Sequence, residues 1–297
     1  MTIMKLRLGV RGMMWLTLVI MMWGIISCRT QEEKRLEEVL SLPLANKEEL
    51  QKVLDHYKDD SLKYQAVCFL IRNMPFHAGY EGNALKHYYQ YFDIYAQGKL
   101  GPHEVIDSLK ENSFSVSQLK RIEDIANIDS SLLVQNVDWA FKVWREQPWG
   151  KNVSFDNFCE FVLPYRLGDE PLGLWREDIY KRYNPILDSI RLLPQAQDPL
   201  VAAKVLMDSL VVEQSHFTGL FPAGPHLGPS VVSWRAGSCR EFADLVVYVM
   251  RALGIPCGTT IWRCVEIITC RISGILHWIK MEKRILRNFP ILIGNGL

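Results

Sequence analysis

The stretch that most constrains this chain is residues 233–257, Ser-Trp-Arg-Ala-Gly-Ser-Cys-Arg-Glu-Phe-Ala-Asp-Leu-Val-Val-Tyr-Val-Met-Arg-Ala-Leu-Gly-Ile-Pro-Cys. Ser238 with Glu241 three residues later is a capping box, in which the two side chains satisfy each other's orphan backbone donors. Phe242, Leu245, Val246, Val249, Met250 and Leu253 then recur on one helical face, and Gly254 ahead of Ile255-Pro256 stops the run. The spacing predicts a helix from Cys239 to about Leu253, with an apolar face that must be covered. Cys239 is its first residue, where backbone N–H groups lack intrahelical acceptors and the positive end of the helix dipole favours a thiolate. Gly237 leaves room for a substrate carbonyl to approach that thiol. A structural cysteine at a helix start would look the same, and spacing does not separate the two.

Helical spacing also runs through the N-terminal third. Leu36, Val39 and Leu40 form a run that Pro43 breaks, and Leu50, Val53, Leu54 and Tyr57 form a second. Leu62, Tyr64, Ala66, Val67, Leu70 and Ile71 form a third, closed by Asn73-Met74-Pro75. After Gly101-Pro102, Val105, Ile106 and Leu109 begin another, so residues 32–120 are predicted helical throughout. No repeat of fixed period emerges, which argues against a solenoid. The centre is aromatic: Trp139, Phe141, Trp144, Trp149, Phe155, Phe158, Phe161, Tyr165 and Trp175. That density predicts core packing, with a substrate-facing wall as the other use. Val201, Val205, Leu206 and Leu210 predict a helix from Pro199 to about Val212, and the Gly- and Pro-rich residues 219–230 predict a loop.

Several function classes fall away on composition. With 34 basic against 33 acidic side chains the chain carries no field for capturing nucleic acid. At 48% hydrophobic and 23% charged residues it is no disordered segment, and seven cysteines are too sparse for a disulfide-built fold. His77, His87 and His103 lack metal spacing, and His216 and His226 flank the loop without a carboxylate partner in a recognisable motif. Cys257, Cys264 and Cys270 form no Cys-x-x-Cys pair, and no phosphate-binding glycine loop occurs. Neither a metal nor a cofactor is expected.

Lys5, Arg7 and Arg11 precede an uncharged run from Met13 to Ile26, too short to span a bilayer but the right length for a signal-peptide core. The run ends Ile25-Ile26-Ser27-Cys28 and turns polar at once, which resembles the lipobox of bacterial lipoproteins. That resemblance implies a signal peptide over residues 1–27, acyl chains on Cys28 and a protein held in the cell envelope on the bacterial outer membrane. An uncleaved anchor with an incidental cysteine is the alternative.

Trp234-x-x-Gly237-x-Cys239-Arg240-Glu241-Phe242-Ala243, closed by Leu253-Gly254-Ile255-Pro256, resembles the transglutaminase-like core of secreted bacterial cysteine hydrolases and acyltransferases. Phe158-Cys-Glu-Phe-Val-Leu-Pro-Tyr-Arg166 looks like the region upstream of that core in lipoproteins. The resemblance implies an α+β fold, with a helical aromatic-rich region over residues 28–198 and a partial papain-like core with a short sheet over residues 199–297. It implies a Cys-His-Asp triad acting on peptide or side-chain amides, hydrolysis more than cross-linking, with Cys239 as nucleophile, His277 as base and Trp234 and Gly237 at the substrate. A non-catalytic envelope protein binding peptide or glycan through its aromatic residues is the alternative.

The tail departs from that pattern. No Asp follows Asp244, His277 is the only later His, and Asn288 is the nearest candidate to orient it; an ordinary His in a short tail is the alternative for His277. The expectation is therefore an incomplete and inactive site after about residue 260. In the offset frame that joins each codon's third base to the next two, residues 271–282 can encode a His near a Trp, then an Asp-Gly turn. A Leu, an Asp and a Gly over His277-Trp278, Trp278-Ile279 and Met281-Glu282 are forced whatever codons are used. The resemblance thus implies a tail translated out of frame. Sequencing of the locus is expected to reveal a one-base shift near codon 260, and a confirmed frame removes the idea.

Overall fold

A computed structural model describes residues 31–108, 115–212, 216–217, 224–262, 265–272 and 275–278. Cys28, Cys264 and Asn288 lie outside them. The helical signals of the N-terminal third become α1 (residues 31–40), α2 (Lys47–His56) and α3 (Ser61–Asn73). Asp60 caps α3 by accepting a hydrogen bond from the Lys63 N–H at 3.1 Å, and a 3-10 turn through Pro75 follows its end.

Here the prediction of continuous helix to residue 120 is corrected. β1 (Ala78–Glu81) and β2 (Lys120–Glu123) pair antiparallel, with Ala78 opposite Glu123, around α4 (Ala84–Ala96) and α5 (Pro102–Ser108). Each strand has four residues, too few to carry a readable alternation, so the surrounding helical period swamped it.

The chain continues through α6 (Asp124–Asn127), α7 (Ser130–Glu146), α8 (Phe155–Phe161), α9 (Arg176–Tyr183) and α10 (Pro199–Val212). Then come β3 (His216–Phe217), α11 (Val231–Trp234), β4 (Ala236–Gly237) and α12 (Cys239–Ala252). β3 and β4 pair in parallel, which sets the backbone of His216 beside Ala236. After α12 a three-stranded antiparallel sheet forms from β5 (Cys257–Trp262), β6 (Val265–Ile272) and β7 (Ile275–Trp278). The protein is α+β, mainly helical. Among the described residues no helix is long and apolar enough to cross a membrane.

Two apolar clusters make the interior. One gathers Leu50, Val53, Val67, Ile71, Val137, Phe141 and Phe158 from α2, α3, α7 and α8. The other surrounds α12 with Tyr88, Phe92, Trp149, Tyr183 and Leu206. Most of the central aromatics are core: Trp144 stacks on Phe158 at 4.4 Å, and Trp175 meets Tyr248 edge-on at 4.9 Å. Where their N–H groups enter the interior they find carbonyls, Trp149 Nε1 donating to Leu253 O at 2.8 Å and Trp175 Nε1 to Tyr165 O at 2.9 Å.

The link between α8 and α9 has no regular secondary structure, yet much of it is buried. Its carbonyls therefore need donors from elsewhere. Arg176 supplies them: Nη2 donates to the carbonyls of Val162, Leu163 and Pro164 at 2.6, 3.0 and 3.0 Å, Nη1 to Arg251 O, and Nε to Asn136 Oδ1. Arg251 donates in turn to the carbonyls of Phe161, Arg166 and Cys257. Arg176→Met keeps the bulk but strands several buried carbonyls, at about 1–3 kcal/mol each. It is expected to lower the midpoint of urea unfolding by an amount equivalent to about 3 kcal/mol or more, with an unchanged slope.

Candidate functional site

The start of α12 is built by the predicted capping box. Ser238 is extended, and its Oγ accepts from the N–H groups of Arg240 and Glu241. The Glu241 carboxylate answers by accepting from Ser238 N at 2.8 Å and from Ser238 Oγ at 2.5 Å. Arg240 closes the arrangement, with Nε 2.7 Å from Glu241 Oε1. Burial alone would raise the Glu241 carboxyl, but the Arg240 charge and the Ser238 hydrogen bonds hold it below its ordinary value. The cap is thus an ionised, buried carboxylate at a helix N-terminus, the end where negative charge is favoured.

Gly237 serves that cap. Its φ of 136° suits glycine, and a Cβ there would stand 2.6 Å from Glu241 Cβ and Cγ. The space that the sequence suggested for a substrate carbonyl holds the Glu241 side chain. Just upstream, Arg235 takes up the left-handed region at φ 49° and is held by Nη2 donating to Leu210 O at 2.7 Å and Nη1 to Tyr183 Oη at 3.2 Å. Trp234 packs on α4, with ring centroids 5.2 Å from Tyr89 and 5.7 Å from Phe92, and its Nε1 donates to Asp93.

Cys239 sits at the first position of α12 and is half-buried, whereas Cys68, Cys159 and Cys257 are buried. Burial raises the Cys68 thiol, and burial with the Asp156 charge pushes Cys159 up to about 12. Those two are therefore poor nucleophiles. His277 lies on β7 with its backbone opposite Cys270 of β6, and β5 and β6 both pack against α12. Among the described residues no three His, Cys, Asp or Glu side chains are gathered as a metal ion would need.

The sequence reading of His226 needs correction, because it has a carboxylate partner. Nδ1 of His226 lies 2.9 Å from Oδ2 of Asp244, whose side chain is 1% exposed. The segment around the histidine is also tied down. Asp169 Oδ1 accepts from the His226 N–H at 2.8 Å, and Arg240 donates to the carbonyls of Gly224 at 2.7 Å and Pro225 at 3.3 Å. Burial alone would lower the imidazole, but the hydrogen bond and charge of Asp244 raise it to about 9. Burial raises Asp244 to about 6, against the pull of His226. Asp244 fell on a legible polar stripe of the predicted helix, with Arg240, Glu241, Tyr248 and Arg251. Its partner sits in a Gly/Pro-rich loop, where no periodicity points to a contact.

Gly237→Ala is expected to break the cap through both the φ and the clash with Glu241. The expected loss is about 1–3 kcal/mol, read from the thermal midpoint, and a variant as stable as the parent would show that the cap tolerates a side chain there.

Comparison with protein-family models, curated proteins and solved structures finds no match for this chain.

Proposed function

We propose that this chain carries a cysteine acyl-transfer centre of the transglutaminase-like kind, with Cys239 as nucleophile, on a protein lipid-anchored to the cell envelope through Cys28. One observation carries the reading: among the cysteines whose side chains are described, only Cys239 combines partial exposure with a capped helix start. A strand, β5 from Cys257, follows that helix, as the order of elements in such a core requires, which supports the reading further.

The thiolate of Cys239 attacks the carbonyl carbon of a peptide or side-chain amide. The backbone N–H of Cys239, one of the first-turn donors without an intrahelical acceptor, faces the oxyanion that develops. The base, which this reading assigns to His277 and which an out-of-frame tail would replace, takes the Cys239 thiol proton; collapse of the tetrahedral species breaks the C–N bond, and the departing amine leaves with that proton. Water then attacks the thioester, releasing a carboxylic acid and restoring the thiol. Hydrolysis is favoured over cross-linking in this reading, and the reaction needs no cofactor.

A second reading is a binding module for peptide or glycan. A cavity of about 200 Å³ supports it, lined by Leu132, Gln135 and Trp139 of α7, by Leu174 and Trp175, and by Glu177 of α9. None of its lining residues belongs to α12.

The test is acyl trapping. Incubated with a p-nitrophenyl ester of a short peptide, the protein is expected to release a stoichiometric burst of nitrophenol and to hold an acyl adduct that peptide mapping places on Cys239. Cys239→Ala is expected to abolish the burst. An adduct forming on Cys239 no faster than on glutathione overturns the catalytic reading.

A further inference from the structure

The residues just ahead of α11 are fastened to α12 at two places. Arg240, next in sequence to Cys239, holds the carbonyls of Gly224 and Pro225 and also reaches Tyr88 Oη at 3.2 Å. One turn further on, Asp244 holds the imidazole of His226 at 2.9 Å. The far side of the strap is seated just as closely. Asp169 takes the His226 N–H, and a Cβ on Gly168 would stand 2.3 Å from His226 Cδ2, so the ring lies against bare backbone. Asp244 is buried, and among the described residues its Oδ1 accepts no hydrogen bond. An unsatisfied buried carboxylate oxygen is costly, and that cost makes the pair sensitive to its proton.

We propose that the His226–Asp244 pair is a proton-sensitive clasp that positions residues 224–226 across the first two turns of α12 and so sets how open the Cys239 thiol is. The relevance to catalysis rests on the reading of Cys239 as nucleophile; the clasp itself does not.

The charges that face the pair come from each packed element. From α12 they are Arg240, which opposes a proton on His226, Glu241, which raises Asp244, and Tyr248 and Arg251, both of which feel the Asp244 charge. From the segment between α8 and α9, Glu170 favours the proton on both groups. Glu170 is itself spoken for, accepting from Tyr248 Oη at 2.6 Å and from the N–H groups of Leu167 and Gly168. With Asp244 near 6 and His226 near 9, the pair is charged on both members between those values. Both groups bind the proton more tightly folded than unfolded. The stabilisation from His226 is therefore full below about 6.5 and lost as pH rises through about 9. For Asp244 the cost of burying its charge appears as pH rises from 3.8 to about 6. The clasp is an ion pair around neutrality and becomes a neutral-acid contact below about pH 6.

The test labels the folded protein with 4,4′-dithiodipyridine from neutral to mildly alkaline pH and follows each cysteine by peptide mapping. At pH 7.5, His226→Gln and Asp244→Asn are expected to raise the labelling rate of Cys239 about tenfold, equivalent to about 1.4 kcal/mol of opening. As pH rises through about 9 and the imidazole of the parent loses its charge, His226→Gln and parent are expected to converge. Equal rates at pH 7.5 overturn the proposal. Labelling of the buried Cys68 and Cys159 at the same raised rate reports unfolding of that variant, and the parent protein then decides. In 15N-histidine NMR of the parent its His226 imidazole is expected to titrate near pH 9, whereas titration near the free value of about 6.5 overturns the clasp. Failure of acyl trapping with this titration intact would sink the catalytic reading alone.

Discussion

Everything in this fold accommodates a polar stripe on a helix buried along all but its first two residues. From Glu241 to Ala252 every residue of α12 is buried, and among them are Glu241, Asp244, Tyr248 and Arg251. A wholly apolar helix could be covered by any greasy surface. This one has to be met by partners of the right charge in the right places. The irregular segment between α8 and α9 does most of that work. Its carbonyls take up Arg251, and Glu170 within it accepts the hydroxyl of Tyr248. Arg176 at its end then satisfies the remaining carbonyls. A second buried ion pair, Arg166 Nε with Asp124 Oδ2 at 3.0 Å, ties the same segment to the start of α6. The stretch that stood out in the sequence as Phe-x-Glu-x-Val-Leu-Pro-Tyr-Arg is thus the mould into which the helix is set.

Much of this is legible in the sequence. The start of α12 at Cys239, its end beside Gly254 and the span of α10 all follow from caps and apolar spacing. These are local rules, and the local signals here agree with one another. The central aromatics were legible as core for the same reason that they pack: Trp149, Phe141 and Phe158 are too large to hide anywhere else. What stayed hidden were contacts between residues far apart in sequence with no period to announce them. β1 meets β2 across some forty residues, and His226 meets Asp244 out of a loop.

The candidate site shows the same division. Residue types at the helix start announced the capping box, and the box is there. Gly237 has a further role in the cap that the sequence does not show, because a sequence shows that a side chain is missing but not what fills the space. Trp234, offered by the sequence as a substrate contact, is stacked on Phe92 of α4. The clasp residues were visible one at a time, yet only the fold makes them a pair.

The other end of α12 is held as firmly as its start. The carbonyl of Leu253 is engaged by the indole of Trp149, and a Cβ on Gly254 would lie 3.0 Å from the carbonyl of Val143. With its first turn locked by Ser238 and Glu241, the helix is clamped at both extremities and cannot slide. It acts as a ruler of set length between the half-buried Cys239 and the first strand of the sheet. Inserting or deleting a single residue within it would rotate one end by about 100° relative to the other. Its tolerance to length change should therefore be far lower than its tolerance to substitution.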